Sequence, residues 1–358
     1  MIPAHPRSSR VTLARVAKLA GVSIGAVSQV LSDNPNSRIS ATVRARIIAA
    51  AAELGYRPNM VARTLRTSKS STYGFVSDTV TITRFATGIL RGSLRAAHER
   101  GYFLLIAETA GDEEQEKEAV ESMIDRGVDG IVFAAMKSRT SSPHGVPRWV
   151  PSVNVNMSST AEAISILPDE LNGGRIAVRT LAEAGHRDRI AIIGHDFRGS
   201  PDAHVALTAR RRIAGIAAEM ADRGLEFLDQ RACDDWQTEQ GYLAMRDVLK
   251  HARPTALLCL NDRLAFGAYQ ALAEAHLAIP EDVSVLSFDD DEFAASLRPG
   301  LTTVAIPHER MGVLAIEVLG APGPMTSDLL VPMALHTRES IAAPKTSRGP
   351  APHTAQDP

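Results

Sequence analysis

The stretch Val11-Thr-Leu-Ala-Arg-Val-Ala-Lys-Leu-Ala-Gly-Val-Ser-Ile-Gly-Ala-Val-Ser-Gln-Val-Leu31 leaves the start of this chain little conformational choice. Thr12 is placed to cap a helix running to about Ala20, and Gly21 supplies the left-handed residue that ends it. Ser23 then caps a second helix. On a wheel of about 100° per residue starting at Ile24, Val27, Val30 and Leu31 fall near 300°, 240° and 340°, while Ile24, Gly25, Ser28 and Gln29 lie between about 0° and 140°. One face is core and the other is small and polar. A third helix from Ser40 carries Val43, Ile47, Ala50, Ala51 and Leu54 at helical spacing with Gly55 just past its end, which completes a three-helix bundle.

Two short helices joined by a tight turn read as a helix-turn-helix, whose second helix can lie in a DNA major groove. Charge points the same way. Residues 1–70 carry eleven Lys and Arg against only Asp33 and Glu53, a net charge of +9, whereas the remainder carries 28 basic and 39 acidic residues, a net charge of −11. A basic head on an acidic body is the footprint of one module that neutralises phosphates and another with a different task. The competing reading is a small bundle with a solvated basic face.

Beyond the bundle, Tyr56-Arg-Pro-Asn-Met-Val-Ala-Arg-Thr-Leu-Arg66 is a short helical segment that needs a partner to form, followed by the polar Thr67 to Thr72. From Tyr73 short apolar strands alternate with amphipathic helices. Strands are expected at 74–76, 103–107, 130–133, 165–167, 189–193, 256–260 and 284–288. Helices are expected at 85–100, 113–126, 172–184, 209–223, 238–251, 263–275 and 308–319. This alternation indicates parallel α/β sheets, two rather than one over about 270 residues, with ligands at the carboxyl ends of strands. The tail from Ala343, rich in Pro, Ser and Gly, reads as disordered.

No apolar run reaches the roughly 18 residues of a bilayer span, and Met-Ile-Pro-Ala-His-Pro-Arg7 lacks the apolar centre of a secretory signal, so the expectation is a cytoplasmic protein with no membrane partner. Cys233 and Cys259 have no metal-ligand spacing and read as reduced core residues. No metal and no cofactor is implied.

The chain resembles the LacI/GalR family of bacterial transcription regulators. The matching residues are Val11-Thr-Leu, Val16-Ala, Ala20-Gly-Val-Ser, Val27-Ser and Val30-Leu, then Glu53-Leu-Gly-Tyr-Arg-Pro-Asn59 and Ala62-Arg-Thr-Leu65. They continue in order with Leu260-Asn-Asp262 and Pro280-Glu-Asp-Val-Ser-Val-Leu-Ser-Phe-Asp-Asp290. The resemblance implies an all-α helix-turn-helix headpiece and a hinge helix. It also implies an α/β two-lobed core, like that of periplasmic binding proteins, with parallel sheets. Boundaries follow: 1–10 a disordered arm, 11–57 the headpiece, 58–72 the hinge helix and linker, 73–342 the core that binds effector and dimerises, and 343–358 a disordered tail. The expected partners are pseudo-palindromic double-stranded operator DNA, a small effector and a second copy of the chain.

Carried over residue by residue, Thr12, Ser23, Ile24, Gly25, Ser28 and Gln29 lie where the family meets bases and phosphates. Gln29 departs from members that place Arg there, and Gln favours adenine where Arg favours guanine. Gly25 costs a helix about 1 kcal/mol relative to Ala, and either permits close backbone approach or leaves a base unread. Leu65 matches the leucine that wedges into the minor groove at the operator centre, with Asn59 and Ala62 packing the hinge; its alternative is an ordinary linker residue.

The resemblance brings Ile82, Arg84 and Phe85 to the effector cleft from one lobe and Asn172, Arg210, Trp236, Asn261 and Asp289 from the other, with His308 on a crossover between them. Flat apolar faces beside directed donors and acceptors suit a sugar; a purine could use the same stacking. Trp236 also reads as plain packing, Arg210 as one of three surface arginines, and Asp289-Asp-Asp291 as a cation site. A hydrolase using His195, Asp196 and Ser200 is a further alternative, disfavoured because no nucleophile elbow, P-loop, dinucleotide fingerprint or zinc spacing is present. A free solute-binding protein is another, at odds with the basic head. The family mechanism implies that effector rearranges the amino-terminal lobes of a homodimer and shifts the hinge equilibrium, with release of DNA the expected sign. The absence of a leucine heptad after Ala343 leaves a tetramer unsupported.

Overall fold

In the amino-terminal unit, Val16, Ala17 and Ala20 of helix α1 (Leu13–Ala20) meet Val27 and Val30 of α2 (Ile24–Leu31) and Ile47, Ala50 and Ala51 of α3 (Ala41–Glu53). Small side chains let three short helices share one core, and Leu13, Val22, Val43 and Leu54 seal its rim. The computed structural model describes residues 11–31, 38–56, 69–81, 83, 87–136, 145–158, 164–198, 207–321, 323 and 327–345. The chain divides between Ser70 and Ser71 into two units. Among the described residues no single helix is long and apolar enough to cross a membrane.

The second unit consists of two lobes, each built on a six-stranded sheet. Lobe 1 begins with β1 (Thr72–Ser77), α4 (Thr87–Glu99), β2 (Phe103–Glu108), α5 (Glu113–Asp125), β3 (Ile131–Ala134), β4 (Ser152–Val155) and β5 (Ile164–Pro168). The chain then crosses into lobe 2 with α6 (Glu170–Glu183), β6 (Ile190–Gly194), α7 (Leu207–Asp222), β7 (Phe227–Ala232), α8 (Thr238–His251) and β8 (Ala256–Cys259). Lobe 2 continues with α9 (Asp262–Glu274), β9 (Ser284–Asp289) and β10 (Thr302–Ala305). It returns to lobe 1 with α10 (His308–Leu319) and β11 (Leu329–Val331), and ends in lobe 2 with β12 (Ala334–His336).

Sheet 1 has the order β11-β5-β4-β3-β1-β2 and is parallel throughout. Sheet 2 has the order β12-β10-β9-β8-β6-β7, with only β12 antiparallel to its neighbour. The expected pair of parallel α/β sheets is therefore present, and all seven expected strands and seven expected helices fall on observed elements. The reading omitted β4, β7, β10, β11 and β12. Two of these strands have three residues, and the edge strand β7 carries an Asp229–Arg231 ion pair at 2.8 Å that hides its alternation.

Helices pack in pairs over these sheets at a closeness that only glycine allows. A Cβ at Gly215 on α7 would lie 2.0 Å from the Leu171 carbonyl oxygen of α6, and one at Gly174 on α6 would lie 2.2 Å from that of Arg212. The same device joins α10 to α4, where a Cβ at Gly312 would meet the Ile89 carbonyl oxygen at 2.0 Å. That contact anchors α10, which follows a lobe 2 strand, in lobe 1.

The carboxyl-terminal segment stays on lobe 2 beyond Ala343, where the sequence suggested that it leaves. His186 is buried and bonds the Thr255 and Ser284 hydroxyls and the Ala342 carbonyl at 2.9, 3.1 and 3.0 Å. Pro344 abuts Gly185, and Lys345 pairs with Asp282 at 2.6 Å. A buried imidazole with three partners holds the strap more firmly than its composition implied. Residues 346–358, like the expected arm at 1–10, lie outside the described residues.

Replacing Gly215 with Ala is expected to force α6 and α7 apart and to cost about 1–3 kcal/mol of stability by urea unfolding, the range for overpacking. A loss close to zero would show that the pair has slack.

Candidate functional site

The exposed face of α2 is set by its turn. Gly21 adopts φ 63° and ψ 41°, and Val22 donates to the Ala17 carbonyl at 3.0 Å, closing α1. The Ser23 hydroxyl accepts from the Ala26 amide at 3.2 Å and starts α2. The two helices meet at 105°. Val27 and Val30 are buried, whereas Ser23, Ile24, Gly25 and Gln29 are exposed and Ser28 is half-buried. Ile24 leaves 52% of its surface in solvent, the same share as Ile48 on α3.

A Cβ on Gly25 would meet nothing nearer than the Ser23 hydroxyl at 3.9 Å. The headpiece fold therefore does not need glycine there. Thr12 holds the expected cap position with extended backbone, but its hydroxyl accepts no bond; the helix starts on its carbonyl, to which Arg15 and Val16 donate. Arg15, Lys18 and Arg46 are exposed around this module. Asn59, Ala62 and Leu65 lie outside the described residues.

In lobe 2 the functional groups gather where β6, β8 and β9 end. The sequence pointed to Arg210, yet Arg210 is exposed and the guanidinium at this edge belongs to Arg212. Ala209, Arg212, Ile216, Glu219 and Met220 form the buried stripe of α7 at helical spacing, and Arg210 lies off it. Arg212 donates to both Glu170 carboxylate oxygens at 2.7 and 2.8 Å, to the Leu260 carbonyl at 2.5 Å and to Asp289 at 3.3 Å, and lies 4.4 Å from the Phe288 ring centre. The run of three arginines gave no sign of which one turns inward.

Asp289, at the end of β9, sits at φ 107°. Trp236 is half-buried against the lobe 2 core and donates its indole N–H to the Gly194 carbonyl at 3.2 Å. Asn261 caps α9: its Oδ1 accepts from the Leu264 amide at 2.9 Å, and its Nδ2 donates to the Trp236 carbonyl at 3.0 Å. Trp236 and Asn261 thus brace one another, with packing and capping taking their polar atoms. Asn172 is exposed in the first turn of α6. Ile82, Arg84 and Phe85 lie outside the described residues.

Burial sets the charges here. Asp262 is buried behind Asp289 and accepts from Thr303 at 2.8 Å, the Asp291 amide at 2.7 Å and the Ser287 hydroxyl. Burial, with the neighbouring Asp289, pushes its pKa up to about 8. Burial raises Asp289 to about 6 against the pull of Arg212, whose charge Glu170 already shares. Burial works against the Arg212 charge, but Glu170 and then Asp289 raise its pKa above the ordinary value. His308, the first residue of α10, is buried and held neutral, its pKa lowered to about 4 by burial and then by Arg212.

Comparison with known proteins fits both halves. Residues 12–59 match the model of bacterial regulatory proteins, lacI family, and residues 178–341 match a periplasmic binding protein-like domain. The ribose operon repressor of Escherichia coli is 34% identical over 313 residues, covering 86% of this chain and 92% of that protein. This chain belongs to the lacI family of bacterial regulatory proteins. The HTH-type transcriptional repressor PurR of Vibrio campbellii is 30% identical over 320 residues, covering 86% and 90%. The crystal structure of the lac repressor dimer bound to operator and the anti-inducer ONPF superposes with a TM-score of 0.73 at 26% identity, covering 94% of this chain and all of that one.

Within this lacI-family protein, Asp289 and His308 also line a cavity of about 390 Å³ beside the crossovers between lobes. The hydrolytic alternative finds little support. His195 meets Phe197 edge-on at 4.6 Å, the Asp196 carboxylate is engaged by Arg198 at 2.9 Å, and Ser200 lies outside the described residues. Its relatives by sequence are transcriptional repressors. Both cysteines are free thiols, Cys259 buried and Cys233 half-buried, and burial pushes Cys233 up to about 12.

The Asp289 carboxyl ionises near 3.8 when unfolded and at about 6 when folded. The folded state binds the additional proton between these values, so this stability contribution is complete below about pH 4 and lost as pH rises to about 6. Asp289→Asn is expected to flatten the pH dependence of urea unfolding over that window relative to the unmodified protein. A constant difference between the two proteins across it would count against the assignment.

Proposed function

We propose that this lacI-family protein is a sequence-specific, DNA-binding transcriptional repressor whose grip on its operator is set by a small effector at the lobe 2 edge. The observation that carries this reading is the outer face of α2. Ser23, Ile24, Gly25 and Gln29 stand together, exposed, on one face of a basic module whose own packing leaves room for a side chain at Gly25. Inside a major groove, Ile24 can meet a thymine methyl and Gln29 can bond adenine bidentately, while Gly25 brings backbone close. Leu65 is the proposed wedge at the operator centre, supported by Asn59 and Ala62.

The effector we favour is a sugar, with a purine as the alternative. Arg212 and Asp289 offer a fixed donor and a fixed acceptor side by side, the pairing that adjacent hydroxyls satisfy together. The names of the relatives support both classes, one a ribose operon repressor and another PurR. Asn172 and Trp236 border the same edge, and Arg210 is replaced by Arg212 in the proposed site.

A homodimer is the assembly that places two headpieces on one pseudo-palindrome. Phe103 on the edge strand β2 is 73% exposed, with Ile106 and Leu94 exposed beside it, and Leu228 and Leu243 are exposed at the corresponding edge of sheet 2. Apolar surface at matching edges of both lobes supports a second copy there. The lac repressor structure, which has the same fold, is a dimer.

The deciding experiment measures operator affinity by fluorescence anisotropy at fixed salt while sugars and nucleobases are added. Ribose or another sugar is expected to lower affinity at least about tenfold, within the usual range of allosteric coupling. A response to purines alone would overturn the sugar reading, and no operator selectivity over random DNA would overturn the function. Selection from random DNA is separately expected to return an A·T pair opposite Gln29 in each half-site. A uniform G·C pair there would refute that contact.

A further inference from the structure

We propose that Asp262 is a positioning residue for the effector site, holding the turn after β9 in the shape that aims Asp289 at Arg212. The inference rests on the reading of Asp289 as an acceptor for the effector. Asp262 is 1% exposed, so it meets no ligand itself and acts through the turn.

That turn needs holding. Asp289 and Asp290 sit at φ 107° and 59°, a region that residues other than glycine rarely adopt and keep only where the surrounding structure over-determines them. A carboxyl group from the first residue of α9 supplies that structure. Ser287 of β9 and Thr303 of β10 are register partners in sheet 2, which sets their side chains next to one another on one face. Both hydroxyls donate to Asp262 Oδ1, that of Thr303 at 2.8 Å. Asp262 Oδ2 accepts from the Asp291 amide at 2.7 Å, and the Thr303 hydroxyl accepts from the Asp290 amide at 3.3 Å. One carboxyl group thus holds both amides that follow Asp289, the second directly and the first through Thr303.

The arrangement survives a change in the charge of Asp262. Burial and the neighbouring Asp289 raise its pKa to about 8, so the group is largely protonated at neutral pH. A hydroxyl can turn from donor to acceptor and take the acid proton, whereas the Asp291 N–H only donates and keeps its oxygen in either state. The Asp290 carboxylate is tied separately, to His336 at 2.6 Å and to Arg338 at 2.7 Å. Those ties hold a side chain, while Asp262 and Thr303 hold the backbone. The turn leaves the Asp289 carboxylate 3.3 Å from the Arg212 guanidinium, the acceptor and donor that the effector reading pairs.

The test uses the full chain and three variants, Asp262→Ala, Thr303→Val and Ser287→Ala. Thr303→Val keeps the outline of the side chain and removes the hydroxyl that reaches the Asp290 amide. Ser287→Ala removes a bond to Asp262 that does not reach the turn. D-ribose binding by calorimetry is expected to weaken at least about tenfold in Asp262→Ala and Thr303→Val, and to stay within about threefold in Ser287→Ala. Operator affinity without sugar is expected to stay within about threefold in all three, which a general loss of folding does not allow. Crystal structures are expected to show the Asp289 carboxylate out of hydrogen-bond reach of Arg212 in Thr303→Val and in place in Ser287→Ala. If Asp262→Ala fails to fold, Thr303→Val decides alone. An unmoved Asp289 in Thr303→Val, an equal loss of operator affinity there, or an equal loss of ribose binding in Ser287→Ala would each overturn the proposal. Absence of ribose binding in the unmodified chain would count against the sugar reading alone, because the crystal structures test the positioning without a ligand.

Discussion

Taking the Arg212 guanidinium out of water is expensive, and the carboxyl edge of sheet 2 is organised around meeting that cost. Glu170 opens α6, the Leu260 carbonyl closes β8, Asp289 closes β9, and Phe288 presents its ring. One side chain on α7 therefore fixes the ends of three other segments. Four of its five N–H donors are committed to these partners. The Asp289 bond is the longest of the four at 3.3 Å. Burial, and then the Arg212 charge, keeps His308 neutral at the start of α10.

The headpiece follows a different logic. Its core is alanine and valine with one isoleucine, enough to order three short helices but with little apolar area per residue. Ile24 nevertheless stays outside, where it adds nothing to that core. Gly25 is the sharper departure, because no internal contact recovers the helix propensity it gives up.

What could be read from the chain was whatever is local. Gly21 and Ser23 act within four residues of themselves, and the turn and cap they imply are present. Thr12 obeyed the positional rule while its hydroxyl stayed out of the cap, because the rule fixes the backbone and leaves the rotamer open. Arg212 was missed for a different reason. Its burial depends on Glu170, far away in sequence on another helix, and an arginine in an apolar stripe scores as a break in the pattern instead of a member of it. Asn261 is the opposite case: its motif drew attention to ligand binding, and the structure adds a local role, its amide bonding α9 and Trp236. Short edge strands such as β11 and β12 exist because neighbours supply their register, which no window of three residues contains.

Three crossings join the two lobes. Each carries a proline at or beside its boundary: Pro168 ends β5, Pro307 precedes α10, and Pro332 follows β11. Proline fixes φ, so each crossing has one backbone torsion set in advance. Two of them are tied directly, the Asp169 amide donating to the Val331 carbonyl at 2.9 Å. Lobe 1 also holds the start of its own chain. Ser71 donates to Asp129 at 2.8 Å and accepts from the Phe103 amide at 2.9 Å. Ser71, the first residue of this unit, is thus tied to lobe 1 through both its amide and its carbonyl.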